Sequence, residues 1–155
     1  RFAHHGKASL PTAEGDGVNA RIIAGSAFGQ TSPVETLSDL FYADVILAPG
    51  ARLVLDAAHE ERAAYLLEGS IEVASTAFEP GRLLVFAPKR EIAITAPRGA
   101  KLVVLGGEPM DGPRHIWWNF VSSSRERIEQ AKCDWQQGRF APVPGDEERM
   151  PLPEQ

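Results

Sequence analysis

The sequence predicts an all-β protein built as an antiparallel barrel or sandwich, followed by one C-terminal helix and an extended tail. Short apolar runs recur about every ten residues, separated by Gly and Pro. In "EIAITA", Ile92 and Ile94 alternate with Ala93 and Thr95, as is typical of a half-buried strand. No helical pattern intervenes before residue 123. These observations favour a sandwich or barrel over an α/β fold.

The predicted strands fill most of the first 123 residues. The continuous apolar run "RLLVFA" indicates a strand that is buried on both faces. The strand-like runs span residues 18–25, 40–50, 51–57, 63–75, 81–88, 91–97, 100–109 and 115–123. We expect an apolar barrel interior that includes Leu53, Tyr65, Leu67, Leu84, Phe86, Ile92, Leu102 and Val104.

One helix is signalled near the C-terminus. Ser123 and Glu126 have the spacing of a capping box, and Gly138 is suited to end the helix. The apolar stripe between them consists of Ile128, Ala131 and Trp135. The predicted organisation is a lead-in or linker (1–17), a barrel (18–122), this helix (123–138) and an extended proline-rich tail (139–155).

Composition and charge exclude several classes of function. The net charge of −5, with no block of basic residues, opposes nucleic-acid binding. The apolar runs are too short to span a membrane. The single cysteine, Cys133, cannot form an internal disulfide, which fits a cytoplasmic location, and we expect it to be an inert helical thiol.

The stretch "HEERAAYLLEGSIEV" (59–73) resembles the first metal-binding motif of a cupin barrel, bracketed by Gly50 and Gly69. Barrel metal sites need at least three converging ligands, commonly histidines with one carboxylate. Counting back from Gly69 places the carboxylate at Glu61 or Arg62. The paired histidines would fall on Leu55 and Ala57, or on Asp56 and Ala58. No histidine occupies any of these positions.

The second metal motif is also incomplete. Gly81 opens it, but its histidine would fall near Ile92 or Ala93, and no histidine exists between residues 60 and 114. The sequence also lacks a G-x-S-x-G elbow, a Walker loop and an H-E-x-x-H motif. The prediction for this chain is therefore no catalytic residue, no metal ligand and no cofactor-binding residue.

The remaining histidines and tryptophans have structural explanations. His4 and His5 are expected to be exposed, and His59 is expected in a solvated loop with Glu60 and Glu61. His115 should lie at a strand edge. In "HIWWNF", the neighbouring Trp117 and Trp118 should point to opposite faces of one strand.

Four segments carry a resemblance to the pirin family that covers nearly the whole chain. "PRHIWWNFVSSSRERIEQAKCDWQQGRF" with "PGDEERMPLP" is similar to the family's C-terminal portion and tail, the most specific part of the match. "GVNARIIAGSAFGQTSPV" is similar to the segment that opens the second barrel, and "YLLEGSIEV" to that barrel's central hairpin.

The resemblance implies a cupin fold, the double-stranded β-helix or jelly roll. Pirins are bicupins in which the N-terminal barrel holds one iron through three His and one Glu, whereas the C-terminal barrel generally lacks these ligands. Family functions include quercetin 2,3-dioxygenase activity and, in eukaryotes, nuclear transcriptional co-regulation. The resemblance therefore implies that this chain is a second barrel, with iron expected only in a missing N-terminal one. The absence of an initiator Met agrees with that expectation.

Three functional hypotheses remain open at this point. The first is a metal-free cupin half whose partner is an N-terminal cupin domain of the same or another chain, with a homodimer as a further possibility. The second is a metal-dependent dioxygenase that uses His59, Glu61 and another histidine. The third is an apolar barrel that binds a small ligand. The first hypothesis predicts an exposed apolar patch.

Overall fold

The computed structural model describes residues 3–142, 144–145, 148 and 150–153. The chain divides into two compact units, Arg1–Pro109 and Met110–Gln155. The sequence predicted that the barrel extends to residue 122. In the structure, residues 115–122 belong to the same unit as the helix.

The first unit is an antiparallel barrel of two sheets that enclose one apolar core. The larger sheet has the order β1-β2-β4-β11-β6-β9, with β3 paired to β2, and the smaller has the order β5-β10-β7-β8. A 3-10 turn at Lys7–Ser9 precedes them. The strands are β1 (Thr12–Gly15), β2 (Val18–Ala27), β3 (Gln30–Thr31), β4 (Leu40–Leu47), β5 (Ala51–Leu55), β6 (Glu61–Gly69), β7 (Ile71–Val73), β8 (Thr76–Phe78), β9 (Leu83–Phe86), β10 (Ile92–Ala96) and β11 (Ala100–Gly107).

The core confirms part of the predicted interior and corrects the rest. Leu53, Leu102 and Val104 are buried. Leu84, Phe86 and Ile92 are only partly buried, although they pack against the core. The prediction that Tyr65 and Leu67 lie inside the barrel is wrong, because both are exposed on the outer face of β6. The inward side chains of that strand are Arg62, Ala64 and Leu66.

The prediction that "RLLVFA" is buried on both faces is also wrong. In β9, Leu83 and Val85 are 58% and 76% exposed, whereas Leu84 and Phe86 are partly buried. The physical reason is position, because β9 is the last strand of the larger sheet and only its inner face meets the core. An apolar run on an edge strand therefore leaves half of its side chains outside.

Gly69 has a conformation and a location that no larger residue would tolerate. Its φ is +78°, in the left-handed region. A Cβ added there would lie 2.2 Å from the carbonyl oxygen of Gly99, in the turn before β11. Gly50 and Gly81 also have positive φ, but an added Cβ would meet open space at both.

The second unit contains the hairpin β12 (His115–Trp117) and β13 (Phe120–Ser122), which is packed against helix α1 (Arg125–Gln136). The predicted single strand over 115–123 is therefore wrong, because Trp118 adopts φ +52° and turns the chain. Trp117 and Trp118 consequently do not point to opposite faces of one strand. Their rings lie 6.3 Å apart in one aromatic cluster that also contains Phe120, Trp135 and Phe140.

Helix α1 begins within two residues of the predicted position, but a different serine caps it. The hydroxyl of Ser124, not Ser123, accepts from the backbone N–H of Arg127 and donates to the Glu126 carboxylate. Ser122 Oγ in turn accepts from the Ser124 N–H. The helix ends as predicted, with Gly138 in the left-handed conformation just after it.

The described part of the tail has no regular secondary structure. In this tail, the carbonyl of Met150 accepts a 2.8 Å hydrogen bond from the Trp135 indole. The predicted tail positions 143, 146, 147, 149, 154 and 155, and positions 1 and 2 of the predicted lead-in, lie outside the described residues. Nowhere in the described chain does a helix have the length and apolar character to cross a membrane.

Candidate functional site: a pocket at one end of the barrel

A pocket of about 470 Å³ opens at the end of the barrel where β5 leads into β6. The β2–β3 hairpin forms one wall, and the loop after β5 forms another. The lining combines aromatic and aliphatic side chains with a few polar ones: Ser26, Ala27, Phe28, Gly29, Gln30, Thr31, Phe41, Val54, Leu55, Asp56, Ala58, His59 and Arg62.

Arg62 is the buried charge of this pocket. Strand alternation turns it inward next to Ala64 and Leu66, and only 2% of the residue is exposed. Its Nη2 donates to the carbonyl of Ala87 at 3.0 Å. Its Nη1 donates to the Asp56 carbonyl and, at 3.4 Å, to that of Leu55. Backbone carbonyls thus fix the guanidinium between the end of β5 and the end of β9.

The Arg62 charge has no counter-ion within the described residues. No carboxylate oxygen there lies within 4.0 Å of its nitrogens, and the buried Nε has no hydrogen-bond partner. The Asp56 carboxylate lines the same pocket but accepts the N–H of Ala58 instead. Burying an unpaired charge is costly, and carbonyl dipoles compensate only part of that cost.

His59 is more enclosed than the sequence indicated. The prediction of a solvated loop cluster is correct for Glu60 and Glu61, which are exposed, but wrong for His59, whose side chain is only 13% exposed. Its Nε2 lies 3.3 Å from Asp39 Oδ1, and its ring tilts against Phe41 at 5.1 Å between centroids. The imidazole is therefore held by an acid and an aromatic ring at the edge of the pocket.

Phe28 reaches the pocket from a strained backbone. It has φ +52° in the two-residue turn between β2 and β3, where Gly29 follows with φ +73°. A bulky side chain rarely adopts this region, so the ring is presented at a cost to the backbone. The sequence did not single out Phe28, and it offered Arg62 only as one of two positions for a metal-binding carboxylate. The dipeptide Phe-Gly between strand-like runs was the available turn signal for Phe28.

Several of the alternative positions expected for cupin metal ligands carry side chains that do not bind a metal ion. Leu55 is buried in the core, Ile92 packs against it, and the guanidinium of Arg62 stands at one of the two candidate carboxylate positions. A permanent cation repels a divalent ion where a carboxylate would bind it. In the part of the chain that the structure describes, no group of three His, Cys, Asp or Glu side chains could hold a metal.

The other candidate residues are scattered. Glu61 is exposed at the start of β6, where it points away from the inward Arg62. His115 begins β12 in the other unit, and Cys133 is an exposed thiol on α1. His4 is exposed in the segment before β1, as predicted, whereas His5, also predicted to be exposed, is partly buried. Within the first unit, neither Glu61 nor His4 is among the residues that line the barrel pocket.

Comparison with known proteins identifies the relatives of this fold. Residues 42–141 match the family model described as the pirin C-terminal cupin domain. A pirin-like protein of Caulobacter vibrioides is 47% identical over 155 residues, which cover 99% of this chain and 54% of that protein. Pirin-1 of Arabidopsis thaliana is 29% identical, over 84% of this chain and 48% of that protein.

A solved structure also matches this chain over about half of its own length. The crystal structure of quercetin 2,3-dioxygenase from Acinetobacter baumannii superposes with a TM-score of 0.81 at 26% identity, covering 94% of this chain and 50% of that one. The chain thus spans about half the length of the relatives it matches. With the matched family model and the barrel described above, the chain belongs to the pirin family and corresponds to its C-terminal cupin domain.

Proposed function

We propose that this chain is the metal-free C-terminal cupin half of a pirin-like protein and supports an iron-binding cupin barrel formed by the other half. The observation that carries the proposal is the chemistry at the expected ligand positions. Arg62 stands at one of the two positions counted for the carboxylate. Leu55 and Ile92, each at one of the positions counted for a histidine, are buried or partly buried apolar side chains. No change of rotamer turns these side chains into ligands for iron.

An exposed apolar face supports the second part of the proposal. On the outer side of the larger sheet, aligned side chains from four adjacent strands remain exposed. We call this surface the outer apolar face; it comprises Tyr42, Tyr65, Leu67, Leu83, Val85 and Leu105. Monomeric proteins rarely leave such contiguous apolar surface in water. It ends at the edge strand β9, which pairs only with β6 among the described strands.

The occupant that we propose for this face is the other half of the same protein. Relatives are about twice as long as this chain, so a second domain is available to cover the surface. The whole protein would then carry two cupin barrels in a reducing cytoplasm, consistent with the lone Cys133. Its activity would be quercetin 2,3-dioxygenation, the reaction for which the Acinetobacter relative is named.

Elemental analysis after purification without chelators tests the proposal. We expect about one iron per whole protein and none at stoichiometric level in this chain, whether wild-type or His59→Ala. Quercetin turnover, followed by absorbance, should accompany only the whole protein. One tightly bound iron in this chain, lost together with turnover in His59→Ala, would revive the dioxygenase hypothesis and overturn ours.

A further inference from the structure

We infer that the pocket at the end of the barrel binds a small organic monocarboxylate with an apolar body, for which Arg62 supplies the counter-charge. The inference rests on the proposed function only in that no metal occupies the pocket. It does not require the docking of a second barrel. A cation that replaces a metal-binding carboxylate reverses the preference of the site from a metal to an anion.

The hydrogen-bond inventory of Arg62 leaves donors for such a ligand. A guanidinium has five N–H groups. Three are used by the carbonyls of Leu55, Asp56 and Ala87, so two remain, one on Nη2 and one on Nε. The Nε–H is buried, so a ligand reaches it only when the pocket lining moves. All three acceptors are neutral and leave the charge uncompensated. A carboxylate can accept two N–H bonds from one guanidinium and neutralises it at the same time.

The rest of the lining defines the body of the ligand. Phe28, Phe41 and Val54 supply aromatic and aliphatic surface beside the guanidinium. The hydroxyls of Ser26 and Thr31, 2.9 Å apart, satisfy each other at the β2–β3 wall. The volume of about 470 Å³ falls in the range of small-molecule pockets. A carboxylate attached to an aromatic or branched aliphatic group matches this combination.

Nearby acids favour a single negative charge over several. Asp56 lines the pocket, and Asp39 lies against His59 at its edge. These two carboxylates would repel phosphates and dicarboxylates more strongly than a monoanion. One buried arginine in a pocket with these acids is therefore suited to one carboxylate group.

Benzoate and its uncharged analogue benzamide are suitable probes, because they differ mainly in the carboxylate. Calorimetric titration of the wild-type chain should give saturable benzoate binding that is at least about tenfold tighter than that of benzamide. In ¹H–¹⁵N spectra, the Arg62 Nε–H resonance should shift on adding benzoate. Equal affinity for the two probes, or no saturable benzoate binding, would overturn the inference.

Two variants assign the binding to Arg62. Arg62→Gln should abolish benzoate binding, whereas Arg21→Gln should retain it. Arg21 is a matched control, since its Nε is also buried without a partner but its guanidinium is 4.0 Å from Asp44 and outside this pocket. Retained binding in a folded Arg62→Gln would overturn the inference.

A third variant covers the case in which Arg62→Gln does not fold. Ala58→Trp places bulk at the exposed pocket wall and leaves Arg62 unchanged. It should weaken benzoate binding at least about tenfold with an unchanged thermal unfolding curve; unchanged affinity would contradict the assignment of the pocket. If this chain binds benzoate and the whole protein does not, the pocket is closed in the whole protein, and the inference of a small-molecule ligand there is overturned.

Discussion

Leu55 and Ile92 are direct cross-strand partners in the β5–β10 pair. Each stands at one of the alternative positions at which the sequence count places a histidine of the metal motif. The pair therefore converts a potential ligand site into part of the hydrophobic core: Leu55 is 3% exposed, and Ile92 packs against the same cluster. The scaffold of the motif is retained because its strands and turns carry the fold.

The first prediction concerns the role of this pair in stability. Leu55→Ala should lower the free energy of unfolding by about 2–5 kcal/mol, because it removes buried methyl groups and leaves a cavity. Val85→Ala, at an outer position that is 76% exposed, is the control and should change stability by less than about 0.5 kcal/mol. Urea unfolding of both variants measures the difference. Similar values would mean that Leu55 is not a core residue.

The second prediction compares two glycines with nearly the same φ. Gly69→Ala and Gly50→Ala both force a left-handed backbone, which costs about 1–2 kcal/mol. Only Gly69→Ala also places a Cβ 2.2 Å from the Gly99 carbonyl oxygen. Gly69→Ala should therefore be destabilising by clearly more than Gly50→Ala in thermal or urea unfolding. Equal losses would show that the close approach relaxes freely.

The strands could be predicted from the sequence better than the faces that they bury. The alternation of Ile92 and Ile94 correctly indicated a half-buried strand, and Ile94 is fully buried. In β6, by contrast, Tyr65, Leu66 and Leu67 are all apolar. Hydrophobicity alone therefore could not show which of them face the core. The pairing of β6 with β11 passes from Leu66 to Glu68 across a bulge. Long-range pairing, which local sequence does not encode, settles which side faces inward.

The same limit explains what was missed at the site. Counting from Gly69 left Glu61 and Arg62 open as alternatives for one position, and only strand alternation in the folded barrel turns Arg62 inward. A lone arginine in a sequence is normally read as a surface residue. The carbonyls that hold it come from the end of β5 and from Ala87, which is 25 residues away along the chain.

The third prediction tests the outer apolar face in the whole protein. Hydrogen exchange should be slower for residues 83–86 in the whole protein than in this chain, because docking covers β9. Val85→Asp should remove that extra protection by placing a charge in the interface. Ala77→Asp, at an exposed position of β8 in the smaller sheet, is the matched control and should preserve it. Equal exchange in the two wild-type proteins would contradict docking at this face.

The fourth prediction separates the serines that precede α1. Ser124→Ala should reduce stability by about 1 kcal/mol, because the Arg127 N–H loses its side-chain acceptor. Ser123→Ala should have almost no effect, since Ser123 is exposed and Ser124 provides the cap. Chemical unfolding monitored by tryptophan fluorescence can follow both variants, because Trp135 lies on the same helix. A larger loss for Ser123→Ala would restore the capping box that the sequence suggested.

The last prediction concerns the ionisation of Glu126. The hydrogen bond from the Ser124 hydroxyl, followed by the helix's own N–H of Glu126, holds the pKa of this carboxyl below its ordinary value of 4.5. A lowered pKa in the folded state means that the carboxylate stabilises the helix start above the ordinary pKa. That contribution disappears as the pH falls through the lowered, folded-state pKa.

Ser124→Ala removes the largest cause of this shift, so the Glu126 pKa should rise toward its ordinary value. A ¹³C NMR titration of the carboxyl resonances in wild type and variant measures this change directly. Asp111 provides an internal control, because the Arg114 guanidinium lowers the pKa of that carboxyl independently of the helix cap. A Glu126 pKa that does not respond to Ser124→Ala would show that the serine hydroxyl does not hold the carboxylate in solution. A shift of both carboxyls would instead indicate a general change in the second unit.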